Sequence, residues 1–489
     1  MNQILRSINA FVAVLILLAG VGCETGSSTA NRPSSSTNAN ANASSAAPST
    51  PPAAPAKTAP IAQPVTLPVL DAFFTQEDFA KELKSKLLLT DEQVNKLKTV
   101  ARQGTAKLRE SDIHDESAGR TAAARQDAYE KIRASIGEEK TQELIALVNE
   151  RWSGDVAASP PPSAAPAGPG DAPGVPLDRR VVVNAPAFRM DLFEGGKLIK
   201  SYKIGIGYPE FPLPTGLRKA DTIIFNPTWT PPDEPWVESP GSKLKVGEKI
   251  EAGDKLNPLG PIKIPIGLPS LIHGGKAPAK LGTFASHGCV GLTDSQVKDF
   301  ARQLARLSGT QISDDQIAEY EKKKTETKPV KLGTAVPVEL RYETITVEDG
   351  KLHIYRDVYD RGTNSEENLR NVLRSYGVTV DQLSEGQRAE LTRALGQMAR
   401  DASGKPTTDS AAANGNSAAG SSAGASPGKG DKTKKANNIA SGKVTRTIRG
   451  DKAVVVEIAA LLGKGYPAPV DLDAGVAAKK AVTRSRRRR

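Results

Sequence analysis

The chain has 489 residues, a formal net charge of +11 and only 4% aromatic residues. Its length allows two or three domains, but Gly, Pro, Ala and Ser are concentrated in blocks that cannot bury a large core. Much of the chain is therefore predicted to be linker. The basic balance, to which the closing arginines 486–489 contribute, favours an anionic neighbour such as a lipid surface, and we find no nucleic-acid motif.

Residues 1–23 have the pattern of a secretion signal, in which Arg6 precedes an apolar run that ends near Cys23. The run is too short to span a bilayer, which takes roughly 20 apolar residues. The segment resembles a bacterial lipoprotein signal, and this resemblance implies a lipidated Cys23 at the mature N-terminus. Gly20 departs from the leucine usual in such signals, so an ordinary signal peptide is the alternative. The expected location is the cell envelope, anchored to a membrane and facing the periplasm or wall.

Two regions of different composition follow the signal. Residues 24–70 are rich in Ser, Thr, Asn, Ala and Pro, which predicts a disordered tether. Residues 71–153 have helical periodicity, and Thr90 with Gln93 forms a capping-box pattern before Val94 and Leu97. We interpret this region as a helical module, either a spacer or a docking unit. Residues 154–177 are a Pro-rich linker.

The pattern changes to strands after residue 177. Residues 181–184, 188–193 and 198–202 read as short strands, and the last two are joined by a Glu-Gly-Gly turn at 194–196. This arrangement is typical of an antiparallel β module. Residues 294–307 have the pattern of a helix.

Residues 271–292 hold two of the four histidines and one of the two cysteines. A thiol becomes a strong nucleophile as thiolate, and a nearby imidazolium lowers its pKa, so Cys289 with His273 and His287 is a candidate activated nucleophile. If Cys23 is lipidated, Cys289 is the only other cysteine and forms no internal disulfide. Gly288 permits close backbone approach, and amides of this turn are candidate oxyanion donors.

This segment and its flanks resemble the YkuD-type catalytic domain of bacterial L,D-transpeptidases, which we place at residues 178–346. One position departs from the pattern, because Gly291 stands where members often carry Asn or Arg. The spacing of His273 from Ser286 also fits the family. The matching motifs, in chain order, are Val182-Val183-Asn184-x-Pro186-Ala187-Phe188-Arg189, Phe211-Pro212-x-Pro214-Thr215-Gly216, Asn226-Pro227-Thr228-Trp229, Asn257-Pro258-Leu259-Gly260, Ile272-His273-Gly274 and Ser286-His287-Gly288-Cys289.

The resemblance implies roles for these residues. Cys289 would attack a donor stem peptide of peptidoglycan, and His273 would be the base, oriented by the Gly274 carbonyl. Ser286, His287 and Gly288 would shape the turn and the oxyanion site. No cofactor is implied, and the implied partners are peptidoglycan stem peptides, a membrane through the lipid anchor, and an envelope protein as a further acyl acceptor.

Several other interpretations were weighed against this one. A zinc site formed by His273, His287 and Cys289 lacks an evident fourth protein ligand, and a serine hydrolase acting through Ser286 leaves Cys289 unexplained. Within the family, a hydrolase that uses water as acceptor shares the same acyl-enzyme, so the sequence does not separate it from a transpeptidase. The third interpretation is a non-catalytic wall-binding lipoprotein. The presence of both His273 and Cys289 disfavours it.

The C-terminal part contains shorter elements. Residues 308–329 are interpreted as a polar insertion, 336–342 as a closing strand, and 347–400 as a small α+β extension in which Asn364 with Glu367 caps a helix. Residues 401–442 are predicted to be a disordered linker and 443–489 a basic tail. The sequence thus predicts a multidomain chain with a mainly antiparallel, β-sandwich-like catalytic domain and a few helices, preceded by an α-helical module and flanked by disordered linkers. We also expect the part from about Leu177 onward to fold alone.

Overall fold

The computed structural model describes residues 65–108, 120–153, 174–232, 237, 241–267, 270–406 and 444–472. Cys23 and most residues of the predicted tether and linkers lie outside this part, as does the end of the chain from 473 onward. In the described ranges, no helix has both the length and the apolar composition needed to cross a membrane.

Five helices form the N-terminal region. They are α1 (Leu67–Phe74), α2 (Glu77–Lys86), α3 (Asp91–Ala106), α4 (Thr121–Ile136) and α5 (Glu138–Ser153). The capping box of Thr90 and Gln93 is confirmed at the start of α3. The predicted tether ends earlier than expected, because Leu67 and Leu70 bury their side chains in a shared core with Leu97 and Ile132, so that α1 begins inside the range 24–70.

The catalytic region is built on an eight-stranded sheet with the order β3-β2-β1-β10-β5-β6-β7-β9. Two neighbouring pairs, β1 with β10 and β7 with β9, are parallel, and the other pairs are antiparallel. A short parallel pair of β4 and β8 lies beside this sheet. The strands are β1 (Arg180–Asn184), β2 (Arg189–Glu194), β3 (Lys197–Lys203), β4 (Ile206–Gly207), β5 (Gly216–Phe225), β6 (Ile262–Pro265), β7 (Leu271–His273), β8 (Phe284–Ser286), β9 (Val290–Gly291) and β10 (Lys328–Arg341).

Helix α6 (Asp294–Leu307) covers the sheet with its apolar face. Val297, Phe300 and Leu304 are fully buried with Ile262 and Ile272 of β6 and β7 in one core. Thr293 and Gln296 form a capping box at its start, which fixes where α6 begins. The predicted helix over 294–307 is confirmed, as are the first three strands.

A second, three-stranded sheet contains β11 (Ile345–Glu348), β12 (Lys351–Tyr355) and β13 (Ala453–Glu457). Helices α8 (Glu366–Ser375) and α9 (Glu385–Met398) pack against it around Leu352 and Leu373. The interpretation of 443–489 as a tail is wrong for 444–472. Val456 and Leu461 are fully buried, and β13 pairs with β12 along its length, because its apolar residues complete the core of this sheet.

Two smaller predictions are also corrected. The helix α8 is capped by Ser365, whose side chain accepts the Asn368 amide, while Asn364 Nδ2 donates to the carbonyls of Tyr355 and Met398. The predicted insertion over 308–329 contains the regular helix α7 (Asp314–Lys322), and β10 already begins within it.

Candidate active site

Cys289 and His273 are brought together by the pairing of the last two strands of the large sheet. β7 and β9 run parallel, with His273 opposite Gly291, and Cys289 directly precedes β9. In the same register Val290 lies opposite Ile272, so the backbone of Cys289 adjoins the strand pair that carries His273. The two candidate catalytic residues therefore lie at neighbouring positions of the β7–β9 pair.

The His273 ring is oriented by its own backbone neighbour. His273 is 3% exposed, and its Nδ1 lies 2.8 Å from the carbonyl oxygen of Gly274. Since a carbonyl only accepts, Nδ1 carries the hydrogen in this contact and Nε2 of the neutral ring holds the lone pair. The arrangement leaves His273 with one basic nitrogen whose direction is fixed.

Burial keeps this imidazole neutral. Burial and, second, the cation of Lys276 lower the pKa of His273 to about 3, while the carbonyls of Gly274 and Leu259 act in the opposite direction. The expectation of an imidazolium partner for the thiol does not hold for His273, because a charged ring would be desolvated beside another cation. The geometry instead supports a neutral base that takes a proton as the reaction proceeds.

Ser286 closes the turn that presents Cys289, whose side chain is partly exposed. Its Oγ donates to the Cys289 carbonyl at 2.6 Å and accepts the Cys289 amide at 3.0 Å. Gly288 has a φ of 87°, and its carbonyl accepts the hydroxyl of Ser270 at 2.9 Å. The Cys289 amide is thus already donated to Ser286, so it is not an open oxyanion donor in this structure.

The ring of His287 packs against two aromatic side chains and is not assigned the role of base. Its ring centroid lies 5.1 Å from that of Tyr208 and 4.6 Å from that of Phe211, in near-perpendicular geometry. Burial, Lys276 and Arg446 lower the pKa of His287 to about 3, so this ring is neutral as well. His287 therefore anchors the catalytic turn to the residues that flank it.

Residues 207–213, here called the wall loop, line the other side of this turn. The Tyr208 amide donates to the Ser286 carbonyl at 2.9 Å. A Cβ on Gly207 would stand 2.1 Å from the Phe211 carbonyl and 3.1 Å from the Gly288 Cα, so only glycine fits there. The wall loop and the catalytic turn are in backbone contact.

The wall loop is held by segments from both ends of the described chain. The Thr66 hydroxyl, at the start of α1, donates to the Glu210 carbonyl at 2.7 Å, and Thr121 of α4 donates to the Pro209 carbonyl at 2.8 Å. From the C-terminal side, Thr445 binds the Glu210 carboxylate. The helical region thus contacts the wall loop through two buried hydroxyls.

Sequence reasoning missed two groups beside the catalytic pair. Asp294, the first residue of α6, accepts the Gly275 amide at 2.7 Å through Oδ1. The side chain of Lys276 lies across Gly291. The position of Lys276, three residues after His273 in a loop, carries no pattern that would have identified it. Among the described residues, no group of three or more His, Cys, Asp or Glu side chains is placed to hold a metal ion.

Residues 178–338 match the model of the YkuD family, the L,D-transpeptidase catalytic domain. This segment is an L,D-transpeptidase catalytic domain. It contains all the residues of the turn and both members of the catalytic pair, while the helical region and the C-terminal sheet lie outside the match. A comparison with curated proteins found no match.

Solved L,D-transpeptidase structures match about a third of the chain. The catalytic domain of the E. faecium enzyme is 18% identical, with 34% of this chain and 100% of that chain covered and a TM-score of 0.22. The Mycobacterium smegmatis enzyme is 18% identical over 33% of this chain and 58% of its own, with a TM-score of 0.20. The Ldtfm carbamoyl enzyme formed with avibactam is 17% identical over 34% of this chain and 49% of its own, with a TM-score of 0.22. This chain therefore matches about half of the length of that protein.

Proposed function

We propose that this protein is a peptidoglycan L,D-transpeptidase that forms 3-3 cross-links, or links from wall to protein, through a thioacyl-enzyme on Cys289. One observation carries the proposal: a partly exposed cysteine and a neutral, oriented imidazole lie at neighbouring positions of one strand pair inside an L,D-transpeptidase catalytic domain. Two groups so placed are the minimum for nucleophilic acyl transfer.

In the acylation step, His273 Nε2 takes the proton of the Cys289 thiol as the sulfur attacks the carbonyl at the L-centre of the third residue of a donor tetrapeptide. The C–N bond to the terminal D-residue then breaks. The departing amine takes the proton from His273, so the ring returns to its neutral form and a thioester remains on Cys289. A base of this kind typically contributes about 10²- to 10⁴-fold in rate.

In the second step, an amine of another stem peptide or of an envelope protein attacks the thioester. His273 takes a proton from that amine and passes it to the leaving sulfur, which restores the thiol and forms a new amide. The Gly288 amide, in its left-handed turn, is the oxyanion donor we propose. The Cys289 amide joins it only if its bond to Ser286 opens.

Two alternatives use the same residues differently. With water in place of the amine, the thioester would be hydrolysed and the protein would be an L,D-carboxypeptidase. A non-catalytic wall-binding lipoprotein needs neither the oriented base nor the exposed thiol. The hydrogen bond that fixes the tautomer of His273 has no use in a binding protein, and this favours catalysis.

The deciding experiment is incubation of the purified full-length chain with disaccharide tetrapeptides, followed by mass spectrometry of the products. Cross-linked dimers support the transpeptidase, and tripeptide monomers alone point to the hydrolase. Cys289→Ala and His273→Ala variants serve as controls and should give neither product. An unchanged substrate with the wild-type chain would contradict both enzymatic functions.

We also propose that the protein is a lipoprotein of the cell envelope, anchored through Cys23. An acylated cysteine would hold the catalytic domain near a membrane, and the predicted tether of residues 24–70 would separate the two. Fractionation of cells with wild-type and Cys23→Ser chains tests this. The variant should leave the membrane fraction or stay unprocessed, and an N-terminus without lipid mass in the wild type would refute the anchor.

A further inference from the structure

The side chain of Lys276 occupies the place where residue 291 would carry a side chain. A Cβ on Gly291 would stand 2.8 Å from Lys276 Cγ, 3.0 Å from Cε and 3.3 Å from Cδ. Gly291 is not among the glycines with a positive φ, so its backbone does not require glycine. The missing side chain makes room for the methylene chain of the lysine.

In this position the Lys276 side chain lies over the strand pair that carries His273. Gly291 is opposite His273 in the register, and Cys289 lies two residues before Gly291 in the chain. The Lys276 ammonium lies near enough to both active-site imidazoles to lower the pKa of each, after the larger effect of burial. A positive charge therefore stands beside two neutral rings.

The loop that carries Lys276 is fixed on both sides. The Lys276 amide donates to the Leu292 carbonyl at 3.0 Å, and the Gly275 amide donates to Asp294 Oδ1 at 2.7 Å. The Leu292 amide in turn donates to the His273 carbonyl at 2.8 Å. The root of the lysine side chain is thus held by the same strand pair that holds the catalytic residues.

We propose that Lys276 binds the terminal carboxylate of the donor peptide and so selects donors that end in a free carboxylate. This inference rests on the proposed function. The attacked carbonyl is joined to the terminal residue, so that residue's carboxylate lies within one residue of the sulfur. An ammonium on a flexible chain is a suitable partner for such a point charge.

The test compares four proteins on two donors. Wild type, Lys276→Ala, Lys276→Arg and the matched control Lys280→Ala, which removes the same charge from the same loop, are assayed with tetrapeptide donors ending in a carboxylate or a carboxamide. A third donor, amidated only on the diamino-acid side chain, distinguishes the two carboxylates of the stem. Unfolding midpoints of all variants show whether each is folded.

We expect Lys276→Ala to raise KM for the free carboxylate at least tenfold, with a much smaller change in kcat and little change for the carboxamide. Lys276→Arg and Lys280→Ala should resemble wild type. Placing the cation on the neighbouring strand, in the Lys276→Ala/Gly291→Arg double variant, should recover part of the loss. Removal of the Lys276 cation should also raise the pKa of His273, so the acid limb of the kcat/KM profile should move to higher pH. The other charged group close to this loop is Asp294, which accepts the Gly275 amide.

Equal KM ratios between the two donors in wild type and Lys276→Ala would overturn the inference while leaving the transpeptidase function in place. If Lys276 affected KM only through the donor amidated on the diamino-acid side chain, the carboxylate bound by Lys276 would be that of the side chain and not the terminal one. A wild-type chain that turns over none of the donors would refute the proposed function and this inference with it.

Discussion

Thr445 donates both its backbone amide and its hydroxyl to the carboxylate of Glu210, at 3.2 Å and 2.7 Å. Both residues are 1% exposed and are 235 positions apart in the chain. A buried carboxylate is costly unless hydrogen bonds compensate it, so this contact ties the C-terminal segment to the wall loop.

Thr445→Val should therefore destabilise the protein by about 1–3 kcal/mol, because the shape is kept while a donor to a buried charge is lost. Urea unfolding measures the change. Thr392→Val is the matched control, since Thr392 is exposed and its hydroxyl bonds only within α9, to Arg388. Equal losses in the two variants would show that Glu210 is not stabilised by Thr445.

Removal of residues 1–157 should weaken the remaining domain, in contrast to the independent folding expected from the sequence. Thr66 and Thr121 are fully buried against the wall loop, and Leu108 packs into the core of the catalytic sheet. Calorimetry should show a melting temperature lower by several degrees, since about 1 kcal/mol corresponds to roughly 2–4 °C for a domain of this size. An unchanged melt and full activity on soluble muropeptides would restore the modular interpretation.

Gly288→Ala should impair catalysis more than stability. The residue has a φ of 87°, and an added Cβ would stand 3.9 Å from the Phe211 carbonyl oxygen, an ordinary contact, so the cost is backbone strain of about 1–2 kcal/mol. Gly309, with a φ of 75° and nothing within 4 Å of an added Cβ, provides the matched control away from the site. Both alanine variants should lose similar stability in urea, while only Gly288→Ala should lose most of its acyl transfer. If Gly288→Ala and Gly309→Ala had equal acyl-transfer activities, the conformation of the turn at Gly288 would not be needed for catalysis.

The free energy of unfolding should fall as the pH drops from about 6.5 toward 3. A histidine of the unfolded chain has a pKa near 6.5 and that of His273 is about 3, so the unfolded state binds more protons in this window. One such group contributes up to about 1.4 kcal/mol per pH unit. Since carboxylates also titrate here, the readout is the difference in slope between wild type and His273→Gln. Parallel curves would show that His273 is protonated in the native state.

A carbapenem should add one acyl group to the wild-type chain and none to Cys289→Ala, as read from intact-protein mass. His273→Ala should form the adduct about 10²- to 10⁴-fold more slowly, because the neutral base no longer accepts the thiol proton. An adduct that persists without Cys289, or one that forms at wild-type speed without His273, would mean that the nucleophile or its base is misassigned.

The features that sequence reasoning predicted are those encoded locally. Strand alternation located β1 to β3, and Thr90 with Gln93 marked a helix start because a capping box needs only four consecutive residues. The histidine and cysteine motifs pointed to His273 and Cys289 as candidates, and the register of β7 and β9 places them at neighbouring positions of one strand pair.

The features that were missed depend on distant contacts. Val454 and Val456 alternate as a strand should, but their partners Ile354 and Leu352 lie about a hundred residues earlier, so the local pattern alone predicts a tail. Lys276 acquires its position through distant contacts, namely the space above Gly291 and the hydrogen bond of its amide to Leu292. The neutral state of His273 follows from burial, which no local pattern reports.

The double attachment of the wall loop has a consequence for the order in which the site is completed during synthesis. The chain grows from its N-terminus, so α1 and the wall loop emerge first, Cys289 and its base later, and Thr445 well after them. A nascent chain that has not reached Thr445 has both reacting groups, yet the carboxylate of Glu210 still lacks the donors that Thr445 provides. Acyl transfer should thus mature last, only when nearly the whole polypeptide has been made.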